Sequence, residues 1–148
     1  MELVSIVIPV YNEEQAIGGD LDLIKRTMDA SGQPYEIIVV NDGSTDRTVE
    51  IVSGRPWIKL LHHERNRGNG AARTTGMKAA QGDIIVMTDG DGTYPNQDMP
   101  KLVQELETCD MVIGARTKEK GTLKLLRTPA KWFIRRLAAY LTETEIPD

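Results

Sequence analysis

The fold class is decided by the stretch Leu3-Val4-Ser5-Ile6-Val7-Ile8-Pro9, which is apolar almost throughout. A half-exposed strand alternates apolar with polar residues, whereas a strand covered on both faces is apolar along most of its length. Both faces are covered in parallel sheets that carry helices on either side. This stretch therefore predicts a central strand of such a sheet.

Similar apolar segments alternate with helical patterns along the chain. The first helix shows one apolar face, spaced by four, three and four residues, at Ile17, Leu21, Ile24 and Met28. The other predicted strands cover residues 36–40, 58–61, 83–87 and 111–113, and the other predicted helices end near residue 53 or cover residues 71–80, 99–106 and 129–141. This alternation predicts an α/β fold, a mostly parallel Rossmann-like sheet flanked by helices, with residues 1–148 forming a single domain.

Hydrogen-bond acceptors precede the first two predicted helices. Asn12 is predicted to cap the first helix, and Glu13 and Glu14 suit its positive N-terminal end. Ser44 or Thr45 is predicted to cap the second helix in the same way. Each of these side chains would then accept a hydrogen bond from an unpaired backbone N–H.

Composition and charge exclude several classes of protein. The single cysteine, Cys109, excludes an intramolecular disulfide, favours a reducing, cytoplasmic compartment and is predicted to be buried. No apolar run approaches the ~18 residues of a membrane span. The net charge of −4 conceals a net of −8 over residues 1–115 and +7 over residues 116–136. This basic block either attracts an anionic partner or forms a solvated helix face.

Asp89-Gly90-Asp91 follows the predicted strand at residues 83–87 and is the main candidate for chemistry. Two carboxylates this close repel each other unless a cation lies near them, and their oxygens suit Mg²⁺ or Mn²⁺. Gly90 would let the backbone and a ligand approach closely. An acidic turn is the alternative, because Asp and Gly are common in turns. The strand-end position in an α/β pattern favours a ligand site.

Other nucleotide-binding motifs are poorly represented. Gly68-Asn69-Gly70-Ala71-Ala72-Arg73 lacks the third glycine of the dinucleotide fingerprint and does not follow the first strand. A phosphate-binding P-loop is absent from the sequence as well. Hydride transfer and P-loop ATP hydrolysis are therefore poorly supported.

Four segments, in order, resemble glycosyltransferase family 2, a large group with the GT-A fold. They are Val4 to Glu14, Ile37 to Asp46, Asn66-Arg67-Gly68 with Arg73, and Asp89-Gly90-Asp91 at the family's Asp-x-Asp position. Asp89 to Pro95 and Val112 to Arg116 further resemble the dolichyl-phosphate-mannose-synthase-like branch, which acts on polyprenyl phosphates. Asn41 and Thr93 depart from that pattern. The resemblance implies that the chain is a C-terminally truncated catalytic domain.

The resemblance also implies a role for each site residue. Pro9, Tyr11 and Glu13 would line the donor's nucleoside pocket, and Asp42 would bond the edge of the base. Asp89, Gly90 and Asp91 would bind the sugar-diphosphate, with the metal, Mg²⁺ or Mn²⁺, on Asp89 and Asp91. Arg116 and Arg127 would meet phosphate charge of donor or acceptor. The residues counted as catalytic are Asp89, Asp91 and Arg116.

The implied function is a metal-dependent inverting glycosyltransferase that moves a sugar from a UDP- or GDP-linked donor to a polyprenyl phosphate. The full-length protein would act at the cytoplasmic face of the membrane, and no nucleic-acid partner is expected. A phosphate acceptor is already an anion, so it needs no general base, and the sequence shows no clear extra carboxylate for one. Transfer to a sugar hydroxyl, and donor binding without transfer, remain alternatives. A nucleotidyltransferase is less favoured, because the residues after the first strand are acidic.

Overall fold

The computed structural model describes residues 2–114, which form one parallel sheet with helices on both faces. Residues 1–113 are one compact unit. The strands are β1 (Val4–Val10), β2 (Tyr35–Asn41), β3 (Ile58–His62) and β4 (Ile84–Met87). The helices are α1 (Ile17–Ser31), α2 (Thr48–Ser53), α3 (Asn69–Ala79) and α4 (Met99–Glu105), with a short 3₁₀ helix at Asn96–Asp98 before α4. The sheet order is β3-β2-β1-β4, and the α/β prediction is confirmed.

The central strand β1 is fully buried, as its apolar run predicts. Alternate residues of a strand face opposite sides of its sheet, so β1 contributes to two cores. The larger core joins Ile6 and Ile8 to the buried residues of α1, including Leu21, and to residues of α2 and α4. The smaller core lies on the other face, where Ala72 of α3 packs on β2.

Strand β1 extends three residues beyond the end of its pairing with β4. It pairs with β2 from Val4 to Val10, but with β4 only from Val4 to Val7. Val7 accepts a hydrogen bond from the N–H of Thr88, so alternation directs the backbone of Pro9 to the same side. Since β4 has already ended there, Pro9 removes no ladder hydrogen bond, and this explains a proline in a central strand.

Three sequence predictions about local structure are wrong. Residues 111–113 form no strand: within the described part of the chain nothing pairs with them, and Met111 and Ile113 are exposed. Cys109 is exposed rather than buried. Asn12 does not cap α1, which begins after Ala16 without a side-chain cap.

The predicted side-chain cap of the second helix is a fourth prediction that is wrong. Helix α2 begins after Arg47, also without a side-chain cap, and Ser44 and Thr45 bond elsewhere. The predicted helix at residues 129–141 lies outside the described residues, and the single-domain organisation of residues 1–148 stays a prediction. Between residues 2 and 114, no helix combines the length and apolar character needed to cross a bilayer.

Candidate functional site

The segments after β1, β2 and β4 meet at the carboxyl edge of the sheet, since these strands are parallel. From β1 the chain adds β2 and β3 on one side and then places β4 on the other. Ligands of open α/β sheets bind beyond the strand ends at such a reversal of strand order. The structure therefore brings the predicted residues Tyr11, Asp42 and Asp91 to one edge.

Reciprocal hydrogen bonds join the segment after β1 to the segment after β2. Asn12 donates its backbone N–H to Ser44 Oγ at 3.0 Å, and its side-chain oxygen accepts from the N–H of Thr45 at 2.8 Å. The N–H of Glu13 donates to Thr48 Oγ1 at 2.8 Å. Asn12 has a left-handed backbone, with a φ of 56°, which asparagine tolerates better than most residues. The expected capping side chains thus hold two loops together.

A second set of contacts, which we call the closed cluster, consists of Asp42, His63, Thr75 and the backbone N–H groups of Arg67 and Gly68. Asp42 Oδ1 accepts from His63 Nδ1 at 2.6 Å and from the N–H of Arg67 at 3.0 Å, while Oδ2 accepts from the N–H of Gly68 at 2.8 Å. His63 Nε2 lies 2.9 Å from Thr75 Oγ1.

Asp42 and His63 are buried, with side chains only 4% and 5% exposed. Burial acts to raise the pKa of the Asp42 carboxyl, but the hydrogen bonds from His63, Arg67 and Gly68 outweigh it and hold that pKa below its ordinary value. Both carboxylate oxygens are engaged within the protein, so the cluster ties β2 to the start of α3. A contact from Asp42 to a base stays a prediction.

The other set, which we call the open acidic edge, consists of Glu13, Asp89 and Asp91. Asp91 is exposed, and its Oδ1 accepts hydrogen bonds from the backbone N–H and the hydroxyl of Thr93, at 2.9 and 2.6 Å. Asp89 Oδ1 pairs with Arg73 Nη2 at 2.8 Å, and both of these side chains are partly exposed. Arg73 therefore engages one of the two Asp89 oxygens.

Negative charge accumulates at this edge. Burial raises the pKa of Glu13, and the charges of Asp91, Asp46, Asp20 and Asp89 raise it further. Burial also raises the pKa of Asp20, which the Asp91 charge raises further, although a hydrogen bond from Gly92 opposes the shift. A protein that holds these carboxylates together gains from a cation placed among them.

The donor set fits a hard divalent cation such as Mg²⁺ or Mn²⁺. Such ions prefer carboxylate oxygens and retain waters or phosphate oxygens for their remaining positions. The described residues contain no group of three or more His, Cys, Asp or Glu side chains arranged around one point. Asp89 and Asp91 would therefore share the ion with ligands from beyond the described residues. Metal binding itself stays a prediction.

Gly90 has a packing reason as well as the predicted ligand reason. A Cβ on Gly90 would lie 2.6 Å from Ile17 Cδ1 and 3.0 Å from Val10 Cγ1. The glycine therefore lets the segment after β4 lie directly on β1 and α1, and this contact fixes the backbone between Asp89 and Asp91. A contact between Gly90 and the donor stays a prediction.

Of the remaining predicted residues, two lie in or next to β1 and two lie outside the described residues. Pro9 is buried in β1, and Tyr11 is 45% exposed just beyond it. Arg116 and Arg127 lie outside the described residues, as does the rest of the basic block. Their phosphate roles stay predictions.

Sequence reasoning missed three residues at this edge: Arg73, His63 and Asp20. Arg73 belonged to a quoted motif, and its pairing with an acidic residue after a neighbouring strand could have been suspected from that motif alone. Its Nε is buried without a hydrogen-bond partner among the described residues, so a further anionic oxygen would satisfy it. His63 follows a strand as Asp42 does, which was a usable signal. Asp20 is an acidic residue in an otherwise apolar helix face, and that exception was the signal.

The parallel sheet and its strand order define the class, an α/β domain with the GT-A fold. The chain belongs to glycosyltransferase family 2, because the model of that family, described as "Glycosyl transferase family 2", matches residues 5–145. The family resemblance carried by the sequence motifs is thereby confirmed.

Two curated relatives and one solved structure show the extent of the similarity. The "Uncharacterized glycosyltransferase YkcC" of Bacillus subtilis (strain 168) is 39% identical over 152 residues, covering 97% of this chain and 46% of the relative. The "Dodecaprenyl-phosphate galacturonate synthase" of Rhizobium johnstonii is 32% identical over 153 residues, covering 97% of this chain and 44% of the relative.

The solved structure is the mannosyltransferase PcManGT of Pyrobaculum calidifontis, in complex with GDP-Man and Mn²⁺. It has a TM-score of 0.64 and 30% sequence identity, over 73% of this chain and 33% of that one. This chain therefore spans less than half the length of each of these relatives.

Proposed function

We propose that the protein is a metal-dependent inverting glycosyltransferase that moves a sugar from a nucleoside-diphosphate donor to a polyprenyl phosphate. The open acidic edge is the observation that carries this proposal. Its carboxylates lie at the reversal of strand order, and the position suits a divalent ion that bridges to a diphosphate. The Mn²⁺ and GDP-Man named with the solved mannosyltransferase support the same ligand class.

Transfer breaks the bond between the anomeric carbon and the donor diphosphate and forms one to an oxygen of the acceptor phosphate. A divalent ion, when bound, stabilises negative charge on the departing diphosphate. Asp89 and Asp91 would hold that ion, and Arg73, already beside Asp89, supplies a fixed positive charge. Attack on the face opposite the leaving group inverts the anomeric centre and needs no nucleophile from the protein.

A polyprenyl phosphate is the preferred acceptor because it arrives as an anion. Within residues 2–114, the carboxylates of the acidic edge lie close to one another, which suits a shared divalent cation. The dodecaprenyl-phosphate enzyme among the relatives supports this acceptor class. The basic block at residues 116–136, which includes Arg116 and Arg127, would attract the lipid phosphate and the anionic membrane surface. We accordingly assign the full-length protein to the cytoplasmic face of a membrane.

Donor binding is tested by isothermal titration of UDP- and GDP-sugars with and without Mn²⁺. We expect one base series to bind only with Mn²⁺, and Asp91→Ala to abolish that dependence. Asp98→Ala is the matched control, since Asp98 follows in the 3₁₀ helix and pairs with the exposed Lys101. Unchanged donor affinity in Asp91→Ala, with and without Mn²⁺, would contradict the proposal.

The acceptor is tested with the full-length protein and a donor carrying a radiolabelled sugar. Label recovered in vesicles containing undecaprenyl or dolichyl phosphate supports the proposed acceptor. Label transferred instead to a soluble sugar hydroxyl would assign the enzyme to the other acceptor class. Donor binding without transfer or slow donor hydrolysis would identify a binding module.

A further inference from the structure

Asp20 is an unusual residue for its place in α1. It lies on the face that Ile17, Leu21 and Ile24 bury against the sheet, and it is only 7% exposed. A buried carboxylate is costly unless its oxygens accept hydrogen bonds, and burial raises the pKa of this one. Alanine has a higher helix propensity than aspartate and would bury no polar group. Its place in the first turn of α1 favours a negative charge, but burial opposes one, so the residue needs a specific hydrogen-bond partner.

The partner of Asp20 lies in the segment after β4. Asp20 Oδ2 accepts the backbone N–H of Gly92 at 2.8 Å, across 72 residues of sequence. Gly92 has a φ of 73°, a left-handed conformation that favours glycine, and it directly follows Asp91. The bond thus holds the backbone at the one point where the chain turns sharply beside Asp91.

Two further contacts complete the support of this turn. Gly90 packs on Ile17, one helical turn before Asp20 in α1, so the same helix supports the segment on both sides of Asp91. Thr88 donates from its hydroxyl to the side-chain oxygen of Asn96 at 2.8 Å, and both residues are buried. Of these supports, only the Asp20 bond reaches the backbone immediately after Asp91.

We propose that Asp20 is a positioning residue for the metal and diphosphate: by accepting the Gly92 N–H, it holds the Asp91 carboxylate where it can share a divalent cation with Asp89. This inference rests on the proposed function and adds a residue to it. Asp20 acts through the backbone by accepting the Gly92 N–H, and the Asn96 side chain beside it also lowers its pKa. Its role depends on accepting a hydrogen bond rather than on its charge.

The substitutions separate hydrogen bonding from charge. Asp20→Asn keeps an oxygen that can accept from Gly92 and removes the charge, whereas Asp20→Ala removes both. Asp22→Ala is the matched control, because Asp22 lies on the exposed side of the same helix and pairs with Arg55. Asp20→Ser, whose shorter side chain does not reach Gly92, replaces Asp20→Ala if the alanine variant does not fold.

Affinity of the full chain for Mn²⁺ with GDP or UDP is measured by calorimetry, and hydrogen exchange of the Gly92 amide by NMR. We expect Asp20→Ala to weaken binding about tenfold and to speed Gly92 exchange, because the Gly92 N–H loses its acceptor. Asp20→Asn should stay within about threefold of wild type by retaining the acceptor. Asp22→Ala should bind as wild type does.

The results separate this inference from the proposed function. If the wild-type chain binds Mn²⁺ with a nucleotide and Asp20→Ala binds equally tightly, the positioning role is overturned and the proposed function is not. An Asp20→Asn variant as weak as Asp20→Ala overturns the positioning role as well, since charge would then be the property that counts. If the wild-type chain binds neither nucleotide with Mn²⁺, the proposed function fails, and the positioning role fails with it.

Discussion

The closed cluster and the open acidic edge lie at the same end of the same sheet, yet they treat carboxylates in opposite ways. Asp42 has three hydrogen-bond donors on its two oxygens, and its pKa is lowered. Glu13, beside Asp89 and Asp91, has its pKa raised by burial and by neighbouring negative charge. The first arrangement is satisfied by hydrogen bonds within the protein, while the second is the one that we propose binds a divalent cation. The difference separates residues that hold the edge together from residues positioned to bind a ligand.

The largest effect is expected from opening the closed cluster. Asp42→Ala leaves the buried His63 Nδ1 and the backbone N–H of Arg67 without this acceptor, while the Gly68 N–H keeps Asn66 Oδ1. We expect the free energy of unfolding to fall by about 2–4 kcal/mol, because each buried hydrogen-bonding group left unsatisfied costs about 1–3 kcal/mol. Urea denaturation measures this loss. A loss below about 1 kcal/mol would mean that water replaces the carboxylate and that the cluster is not closed.

The next effect concerns the backbone that carries the acidic edge. Gly90→Ala places a Cβ against Ile17 and Val10 and should lower the free energy of unfolding by about 1–3 kcal/mol through overpacking. The double variant with Ile17→Val should recover part of that loss in the same urea experiment. Gly70→Ala is the control, because a Cβ there meets nothing within 4 Å in helix α3. It should be neutral or stabilising by up to about 1 kcal/mol. Equal losses at the two glycines would disprove the packing explanation.

A smaller effect is expected from removing the positive charge of Arg73, which pairs with Asp89 at the acidic edge. Arg73→Gln removes the ion pair on Asp89 Oδ1, so that Mn²⁺ without nucleotide should bind more tightly. The partly exposed pair is worth about 0.2–1 kcal/mol, which corresponds to a gain of up to roughly fivefold. Mn²⁺ titration followed by electron paramagnetic resonance measures it, with Lys78→Gln on the same helix as the control. Weaker Mn²⁺ binding in Arg73→Gln would show that Arg73 organises Asp89 instead of competing for it.

The smallest effect is a difference in pH dependence between the two regions. The lowered pKa of Asp42 stabilises the fold above the ordinary value of 3.8, and that stabilisation is lost as the pH falls through the folded-state pKa. The raised pKa of Glu13 gives the reverse sign: a penalty that is absent below 4.5 and develops as the pH rises through the folded-state pKa.

Glu13→Gln should therefore be more stable than wild type at neutral pH, with the difference vanishing below 4.5. Asp42→Asn should be less stable at neutral pH, with the difference shrinking in stronger acid. Urea midpoints measured from neutral pH to about pH 3, in the absence of divalent ions, test both directions. Parallel pH profiles for the two variants would refute the contrast between the regions.

The local composition of the chain was enough to predict the sheet and its helices. The apolar run of β1 and the spacing from Ile17 to Met28 depend on neighbouring residues only, and both segments are buried as predicted. The positions of Asp42, Asp89 and Asp91 at one edge followed from strand order in parallel sheets. The predictions for β1 and α1 and for these strand ends are therefore confirmed.

The failures involve partners that are distant in sequence. Asn12 was predicted to cap α1, but its side-chain oxygen accepts a hydrogen bond from the N–H of Thr45, 33 residues away in sequence. The packing of Gly90 against Ile17 was likewise not predicted, because it joins two segments more than 70 residues apart. The predicted strand at residues 111–113 has suitable composition, but a strand also requires a neighbour for its backbone hydrogen bonds. No local pattern contains that information.

The three residues by which β1 outlasts its pairing with β4 have a consequence for how the protein can change. At about 3.3 Å per residue, the offset leaves roughly 10 Å of β1 without a strand beside it on the β4 side. The segment after β4 covers Ile8 and Val10 there by packing on them at Gly90. Because strand lengths and register set this offset, substitutions in the covering segment would alter the site while the strand pairing stays the same.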